Sequence, residues 1–242
     1  MFLSPAVFQW PYDAQDRLFP PEVDCVSKAH DVWRHAQNRL AGESTPLDRV
    51  DSISALKRAI DIRLKAIRAT YNFEFLPSMR AKKQTLEKLQ DYGIVRPAIL
   101  KELIDVRNSL EHEHTEPPST DKCKIYIDIC WYFLKSTDPL VDMAVSSLVY
   151  VDDPSDSSVQ IEIEPRNDWA LRVNGYVRSE FILLSDEDGA LELTEFSTAP
   201  PKAKNGYQRF VANGKPNELG LLRIAREYFG AAGYWYEDHN AA

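Results

Sequence analysis

The sequence predicts an α+β fold, in which a helical bundle of four to five helices precedes a smaller antiparallel β-rich module with a C-terminal helix. Apolar residues recur at helical spacing up to about residue 143, and from Ser146 onward the spacing changes to alternation. A chain of 242 residues, 44% of them hydrophobic, is long enough for two modules. We therefore predict an N-terminal arm (1–20), a helical domain (21–143) and a β-rich accessory domain (146–242).

Prolines and glycines delimit the predicted helices. The predicted ranges are 21–40, 46–71, 80–91, 98–114 and a last helix from residue 121 onward. Thr45 and Pro46 provide an N-cap and a proline at the first helical position of the second helix. Gly42 and Gly93 are expected to end the first and third helices. The last helix is so apolar that we expect it to be enclosed nearly all round.

The C-terminal part shows the alternation typical of strands in five short segments. These lie at residues 148–151, 159–163, 169–173, 181–184 and 190–196. Asn174-Gly175 and the segment from Asp186 to Gly189 are predicted to be hairpin turns. A final amphipathic helix is expected from Pro216 to about Ala232.

Charge is divided unevenly along the chain, although the net charge is -8. Residues 49–107 hold 13 Lys and Arg against 7 Asp and Glu, whereas residues 146–242 hold 9 against 16. A phosphate-containing partner should therefore meet the first segment. In that segment four basic side chains share one arc of the second helix: Lys57, Arg58, Lys65 and Arg68. Two interpretations stay open for this arc, a weak RNA-binding track or a solvated face paired with Asp61.

The three cysteines form no CxxC pair, and no apolar run approaches the 18 residues of a membrane span. The N-terminal residues lack the positive region of a signal peptide. We therefore expect a reducing, cytoplasmic location without a membrane partner.

A motif between residues 89 and 114 suggests a family. Leu89-Gln90-Asp91-Tyr92-Gly93-Ile94 is followed by Leu103-Ile104-Asp105-Val106-Arg107-Asn108-Ser109-Leu110-Glu111-His112-Glu113-His114. This resembles the HEPN superfamily, in which a Gly-Ile turn leads to an Arg, a polar residue, three more residues and a His, then a loop and a last buried helix. The resemblance covers roughly residues 21–143. It implies a HEPN-like helical bundle and a metal-independent endoribonuclease, of a kind common in toxin, antiphage or RNA-processing systems.

The residue types in this motif suit RNA cleavage by the 2′-hydroxyl. His112 can move protons near neutral pH, and Arg107 can hold the charge that grows on the phosphoryl oxygens. Asn108 can orient either of them, and supporting roles for Glu111 and His114 stay open. Arg107 and His112 are about 140° apart on an ideal helix, so they converge only if the helix ends near His112 or if two copies meet. In the HEPN superfamily two motifs face each other across a dimer, which implies a homodimer here.

Toxin members of the superfamily that pair with nucleotidyltransferases usually carry Tyr two positions after the His, where this chain has His114. The resemblance therefore does not extend to their control by modification of that tyrosine.

Other interpretations remain open at this stage. Arg107 can simply pair with Glu111, and His112 can simply complement the helix dipole. The chain would then be a non-catalytic dimeric scaffold or a module that senses nucleic acid or another ligand. No cofactor and no metal site is predicted, because the spacing in Glu111-His112-Glu113-His114 is not that of helical zinc ligands. The predicted partners are an RNA substrate, a second copy of the chain and an optional protein regulator.

Aromatic residues outside the motif have two interpretations. Trp169 and Tyr176 in the predicted sheet, and Tyr234-Trp235-Tyr236 at the end, can stack on bases or can belong to the core.

Overall fold

A computed structural model describes residues 1–17, 25–76, 85–96, 98–113, 115–142, 144–198 and 206–230. These residues contain six α-helices and eight β-strands. They form two compact units that alternate along the chain. The sheet unit comprises the described residues of Met1–Leu18, Tyr71–Met79 and Ala144–Trp235, and the helical unit those of Phe19–Thr70, Arg80–Met143 and Tyr236–Ala242.

The helical unit contains the first five helices, α2 up to Thr70. They are α1 (Cys25–Arg39), α2 (Pro46–Tyr71), α3 (Thr85–Asp91), α4 (Ala98–His112) and α5 (Thr120–Asp142). The predicted start of α2 is confirmed, because the Asp48 amide donates to Thr45 Oγ1 and the Thr45 amide donates to Asp48 Oδ2. The predicted stop at Gly93 is also confirmed. Gly93 has a φ of +73°, and the Ile94 amide donates to the Leu89 carbonyl at 2.8 Å.

The sheet unit contains one antiparallel sheet and one helix. The strands are β1 (Phe2–Leu3), β2 (Tyr12–Arg17), β3 (Val145–Asp152), β4 (Ser157–Glu164), β5 (Ala170–Arg178), β6 (Ile182–Leu183), β7 (Leu191–Thr198) and β8 (Tyr207–Lys215). Their order is β2-β3-β4-β5-β8-β7-β1-β6, and every neighbouring pair is antiparallel. The helix is α6 (Glu218–Phe229), capped by the Asn217 side chain.

One face of this sheet packs against α6. Tyr228 of α6 lies edge-on to Trp169, and the Trp169 indole donates to the Tyr71 carbonyl at 2.7 Å. The Tyr150 hydroxyl donates to the Glu227 carboxylate, so that α6 is anchored to β3. Burial raises the pKa of Glu227, although hydrogen bonds from Tyr150 and Arg223 act in the opposite direction. Because its ring contacts Tyr228 and its indole donates to the Tyr71 carbonyl, Trp169 is a core residue.

The predicted fold class is wrong in its specific form, and only the α+β class is retained. We expected a HEPN-like bundle followed by a smaller β-rich module. The sheet instead has eight strands, and two of them come from the first 17 residues. The end of α2 and the residues after it also belong to the sheet unit. The prediction failed for a physical reason. Antiparallel strands can pair although they are far apart in the sequence, and the spacing of apolar residues within one segment does not show which strand that segment pairs with.

The turn predictions had mixed outcomes. A turn does form at Asp186–Gly189, where the Ala190 amide donates to the Glu187 carbonyl and Gly189 has a φ of +81°. It is not the predicted hairpin turn, because β6 and β7 on either side of it both pair with β1 and not with each other. Asn174-Gly175, however, lies inside β5 and not in a hairpin turn. The structure gives the reason for this glycine. A Cβ on Gly175 would lie 2.6 Å from a ring carbon of Phe210 on β8.

We expect Gly175→Ala to destabilise the protein by about 1–3 kcal/mol, because the added methyl group would displace the buried Phe210 ring. Urea unfolding of the variant and the wild type measures this. Adding Phe210→Leu to Gly175→Ala should recover part of the loss, since the ring atoms that clash are removed. Equal stability of Gly175→Ala and wild type would contradict the packing described here.

The expectation that the last helix is enclosed nearly all round is also wrong. On α5, Ile125 is 51% exposed and Tyr132 is 67% exposed. These residues are seven apart and therefore lie on the same side of the helix, with Ile129 between them. Of the described helices, none has both the length and the apolar character that crossing a bilayer requires.

Candidate functional site

The motif residues lie in the last two turns of α4, which is held against α5 by polar contacts. Tyr126 of α5 donates to Glu102 Oε1 at 2.9 Å, and Lys122 Nζ lies 2.8 Å from the same oxygen. Hydrogen bonds from Lys122 and Tyr126 lower the pKa of Glu102, so this carboxylate stays charged. The two helices therefore form a fixed support for the motif.

Arg107 already has two polar partners on its own helix. Its Nη2 lies 2.5 Å from Glu111 Oε2, one helical turn further along. Its Nη1 donates to Asn108 Oδ1 at 3.2 Å. The guanidinium is partly open, with 27% of the side chain exposed. The structure thus brings three of the predicted residues together, namely Arg107, Asn108 and Glu111.

His112 is the last residue of α4 and is exposed. It makes no hydrogen bond or ion pair among the residues that the structure describes. An imidazole in this position is accessible to a ligand, and as a cation it would interact favourably with the carbonyl end of the helix. Arg107 and His112 do not contact each other within one chain, as their angular separation predicts. His114 lies outside the described residues.

The four basic residues of α2 differ in their surroundings. Lys57 pairs with Asp61, so the paired interpretation applies to this residue. Arg58, Lys65 and Arg68 are exposed and have no ion pair within the described parts of the chain. A surface ion pair such as Lys57–Asp61 contributes little to the free energy of folding. The arc therefore offers three cations to an anionic ligand.

Sequence reasoning missed a buried ionic cluster in the helical unit. Arg63 of α2 is fully buried, and its Nη2 donates to Asp138 Oδ1 of α5 at 2.7 Å. The Asp138 carboxylate also accepts from His30 Nε2 of α1 at 2.8 Å. Arg63 falls within the apolar arc of α2, three residues after Ile60. A charged residue in an apolar arc is the one sequence signal for such a cluster.

The electrostatics of Asp138 follow from these contacts. Burial by itself would raise the pKa of its carboxyl group, but hydrogen bonds from His30 and Arg63 outweigh burial and hold the pKa below its ordinary value. The carboxylate is therefore more stable in the folded chain than in the unfolded chain. Lys135 Nζ of α5 also lies 3.2 Å from the Asp138 carboxylate. Because the cluster ties α1, α2 and α5 together and Asp138 is paired with Arg63, His30 and Lys135, we assign it a structural role.

We expect Asp138 to make stability sensitive to acid. Because its pKa is lower in the folded state, its contribution is complete above the ordinary pKa of Asp, about 4, and is lost as the pH falls through the folded value. Urea unfolding of wild type and Asp138→Asn at several pH values measures this contribution. The difference between the two proteins should shrink as the pH falls below about 4. A difference that does not change with pH would contradict the assignment.

No group of three or more potential metal ligands comes together among the described residues. Tyr176 lies on the open face of the sheet, whereas Tyr234-Trp235-Tyr236 lie outside the described residues. Comparison of the chain with protein-family models, curated proteins and solved structures gave no match.

Proposed function

We propose that this protein is a metal-independent endoribonuclease of HEPN type, with Arg107, Asn108 and His112 as its catalytic residues. One observation carries the proposal. A cationic fork, a carboxamide and an exposed imidazole occupy the last two turns of one helix, at an end that a polynucleotide can reach. The motif resembles that of HEPN ribonucleases in residue type and spacing.

The proposed chemistry needs only these groups. The 2′-oxygen attacks the adjacent phosphorus, the bond from phosphorus to the 5′-oxygen breaks, and the products are a 2′,3′-cyclic phosphate and a 5′-hydroxyl. His112 moves the proton between the 2′-hydroxyl, solvent and the leaving 5′-oxygen. Arg107 stabilises the charge on the phosphoryl oxygens. Asn108, which contacts the Arg107 guanidinium, keeps it oriented.

RNA must compete with Glu111 for Arg107. The Arg107–Glu111 pair is partly exposed on both sides, so breaking it costs little in water. A phosphodiester offers the guanidinium the same two-oxygen geometry that a carboxylate does. Glu111 then has a supporting role, because it holds the guanidinium in place until substrate arrives.

Two copies of the chain are part of the proposal. Arg107 and His112 are about 140° apart on a regular helix and do not contact each other, so we expect the cation and the imidazole at one phosphate to come from two copies. The exposed side chains of Ile125 and Tyr132, with the partly buried Ile129 between them, offer an apolar stripe for a partner copy. Tyr126, next to this stripe, contacts α4 through Glu102. A homodimer through α4 and α5 would therefore bring two motifs together.

We expect Ile125→Asp to weaken dimerisation at least about tenfold, because a carboxylate would replace apolar surface at the contact. Analytical ultracentrifugation over a range of concentrations measures this change. RNA cleavage should fall in parallel with the dimer fraction.

The matched control is Leu184→Asp, the same kind of change at a residue of the sheet unit that is 90% exposed. It should leave both properties unaltered. A wild type that is monomeric while it cleaves RNA would overturn the dimeric site.

One observation favours a second candidate, a non-catalytic dimeric scaffold. Arg107 is paired with Glu111, as a purely structural arginine would be. Incubation of the purified protein with single-stranded RNA in EDTA discriminates the two functions. Cleavage that requires His112 supports the ribonuclease, and the absence of cleavage favours the scaffold.

A further inference from the structure

A groove lies on the face of the sheet that carries Gln160, Asn174 and Tyr176. Its volume is about 630 Å³, within the range of ligand pockets in proteins. Strands β2, β3, β4, β5 and β8 contribute its lining. Its lining combines polar side chains with three valines and with the rings of Tyr176 and Phe210, and it carries one acid, Glu162, and two arginines, Arg172 and Arg209.

Carboxamides line the middle of the groove. Gln160 of β4 and Asn174 of β5 are direct cross-strand neighbours, and Asn174 Nδ2 donates to Gln160 Oε1 at 3.4 Å. Gln160 Nε2 in turn donates to Ser147 Oγ at 3.3 Å. Among the described residues, these bonds leave the Asn174 side chain with its carbonyl oxygen and one N–H, both of which can bond a ligand. A donor beside an acceptor is the pattern that the edges of nucleobases complement.

An aromatic wall closes one end of the groove. The Tyr176 ring stacks on the Tyr207 ring, with centroids 5.1 Å apart and planes 11° from parallel. The Tyr207 hydroxyl donates to the Ser155 carbonyl at 2.9 Å, which fixes the backing ring. Tyr176, but not Tyr207, lines the groove. A rigid ring of this kind is a platform on which a base can stack.

One cation, Arg209, lies beside this wall. Arg209 of β8 is the cross-strand neighbour of Tyr176, is exposed and makes no ion pair within the part of the chain described. One acid, Glu162, lines the groove itself as the cross-strand neighbour of Arg172. Three other acids of this face have partners: Glu164 lies 3.5 Å from Arg172, Glu192 lies 3.6 Å from Lys215, and Glu195 accepts from Asn213. Screening limits charge effects to about 8 Å at physiological salt, so these local groups matter more than the acidic total of residues 146–242.

We infer that this groove binds a single-stranded segment of RNA, with a base against Tyr176, a base edge on Asn174 and Gln160, and a phosphate on Arg209. The inference rests on the proposed function in taking RNA as the nucleic acid. It assigns to the sheet unit the selection of single-stranded substrate. A duplex does not fit this assignment, because its bases are already stacked and paired.

The experiment measures binding separately from cleavage. A fluorescein-labelled single-stranded RNA octamer is titrated with the full chain carrying His112→Ala, and anisotropy gives the Kd. Adding Tyr176→Ser should weaken binding about 5- to 150-fold, the usual effect of losing one stacked base. Adding Arg209→Gln should weaken binding and lower the dependence of log K on log salt by about 0.7, as expected for one lost phosphate contact.

Lys215→Gln is the matched control. It removes one exposed positive charge from the same strand, at a residue outside the groove that pairs with Glu192. Its Kd should stay close to that of the parent, and the corresponding duplex RNA should bind more weakly than the single strand. The inference is overturned if the octamer does not bind, if Tyr176→Ser and Arg209→Gln bind as the parent does, or if Lys215→Gln has the effect of Arg209→Gln.

The two proposals fail in different ways. If the wild type does not cleave RNA but binding depends on Tyr176 and Arg209, the ribonuclease assignment fails and the groove stands. If the wild type cleaves RNA but binding is independent of these residues, the groove fails and the ribonuclease assignment stands.

Discussion

His112→Ala should nearly abolish RNA cleavage while the melting temperature stays close to that of the wild type. Loss of a positioned proton-transfer group costs about 10² to 10⁴ in rate. His112 is exposed and has no partner among the described residues, so its removal costs little stability. Arg107→Ala should reduce the rate by a comparable factor, about 10² to 10³, because the growing phosphoryl charge loses its stabilising cation.

Two variants in the same unit serve as matched controls. His35→Ala removes another exposed histidine, on α1, and should not change the rate. Arg34→Ala breaks a surface pair with Asp31 that resembles the Arg107–Glu111 pair in kind. It should also leave the rate unaltered. These controls separate a role in chemistry from a general effect of removing a surface charge.

The readout is the time course of cleavage of a single-stranded RNA in EDTA, with end-group analysis of the products. A 2′,3′-cyclic phosphate and a 5′-hydroxyl are expected. Cleavage by His112→Ala at the wild-type rate would refute the assignment of His112. Inhibition by EDTA would refute the metal-independent mechanism.

Asp138→Asn should destabilise the protein by about 3–5 kcal/mol, the usual result of leaving one partner of a buried ion pair without its counter-charge. Arg63 is fully buried and cannot reach water when the carboxylate is removed. For a protein of this size the loss corresponds to a fall in melting temperature of roughly 6–20 °C. Thermal and urea unfolding measure it. Asp128→Ala, which removes an exposed acid of the same helix, is the control and should have almost no effect.

A double variant tests the physical reason. Adding Arg63→Met to Asp138→Asn removes the unpaired charge and should recover a large part of the lost stability. The Thr137 hydroxyl that Arg63 contacts also donates to the Phe133 carbonyl, so it keeps a partner. A double variant no more stable than Asp138→Asn would show that the loss does not come from the buried charge of Arg63.

Local signals determined the helix boundaries and the candidate site. The N-cap at Thr45 and the stop at Gly93 act within a few residues, so the sequence predicts them and the structure confirms them. The spacing of Arg107, Asn108 and His112 along one helix is local in the same sense. The partnership of Arg107 with Glu111 was one of the two interpretations that spacing alone left open.

Tertiary structure decided the features that join remote parts of the chain. The first 17 residues form two strands because β7 and β3 pair with them, and no local pattern reports such pairing. Gly175 lies in a strand and not in a turn because β5 pairs with β4 and with β8. The residue is glycine because the ring of Phe210, 35 positions later, leaves no room for a side chain. Arg63, Asp138 and His30 come from three helices. Their burial follows from packing between elements, whereas composition and periodicity describe one element at a time.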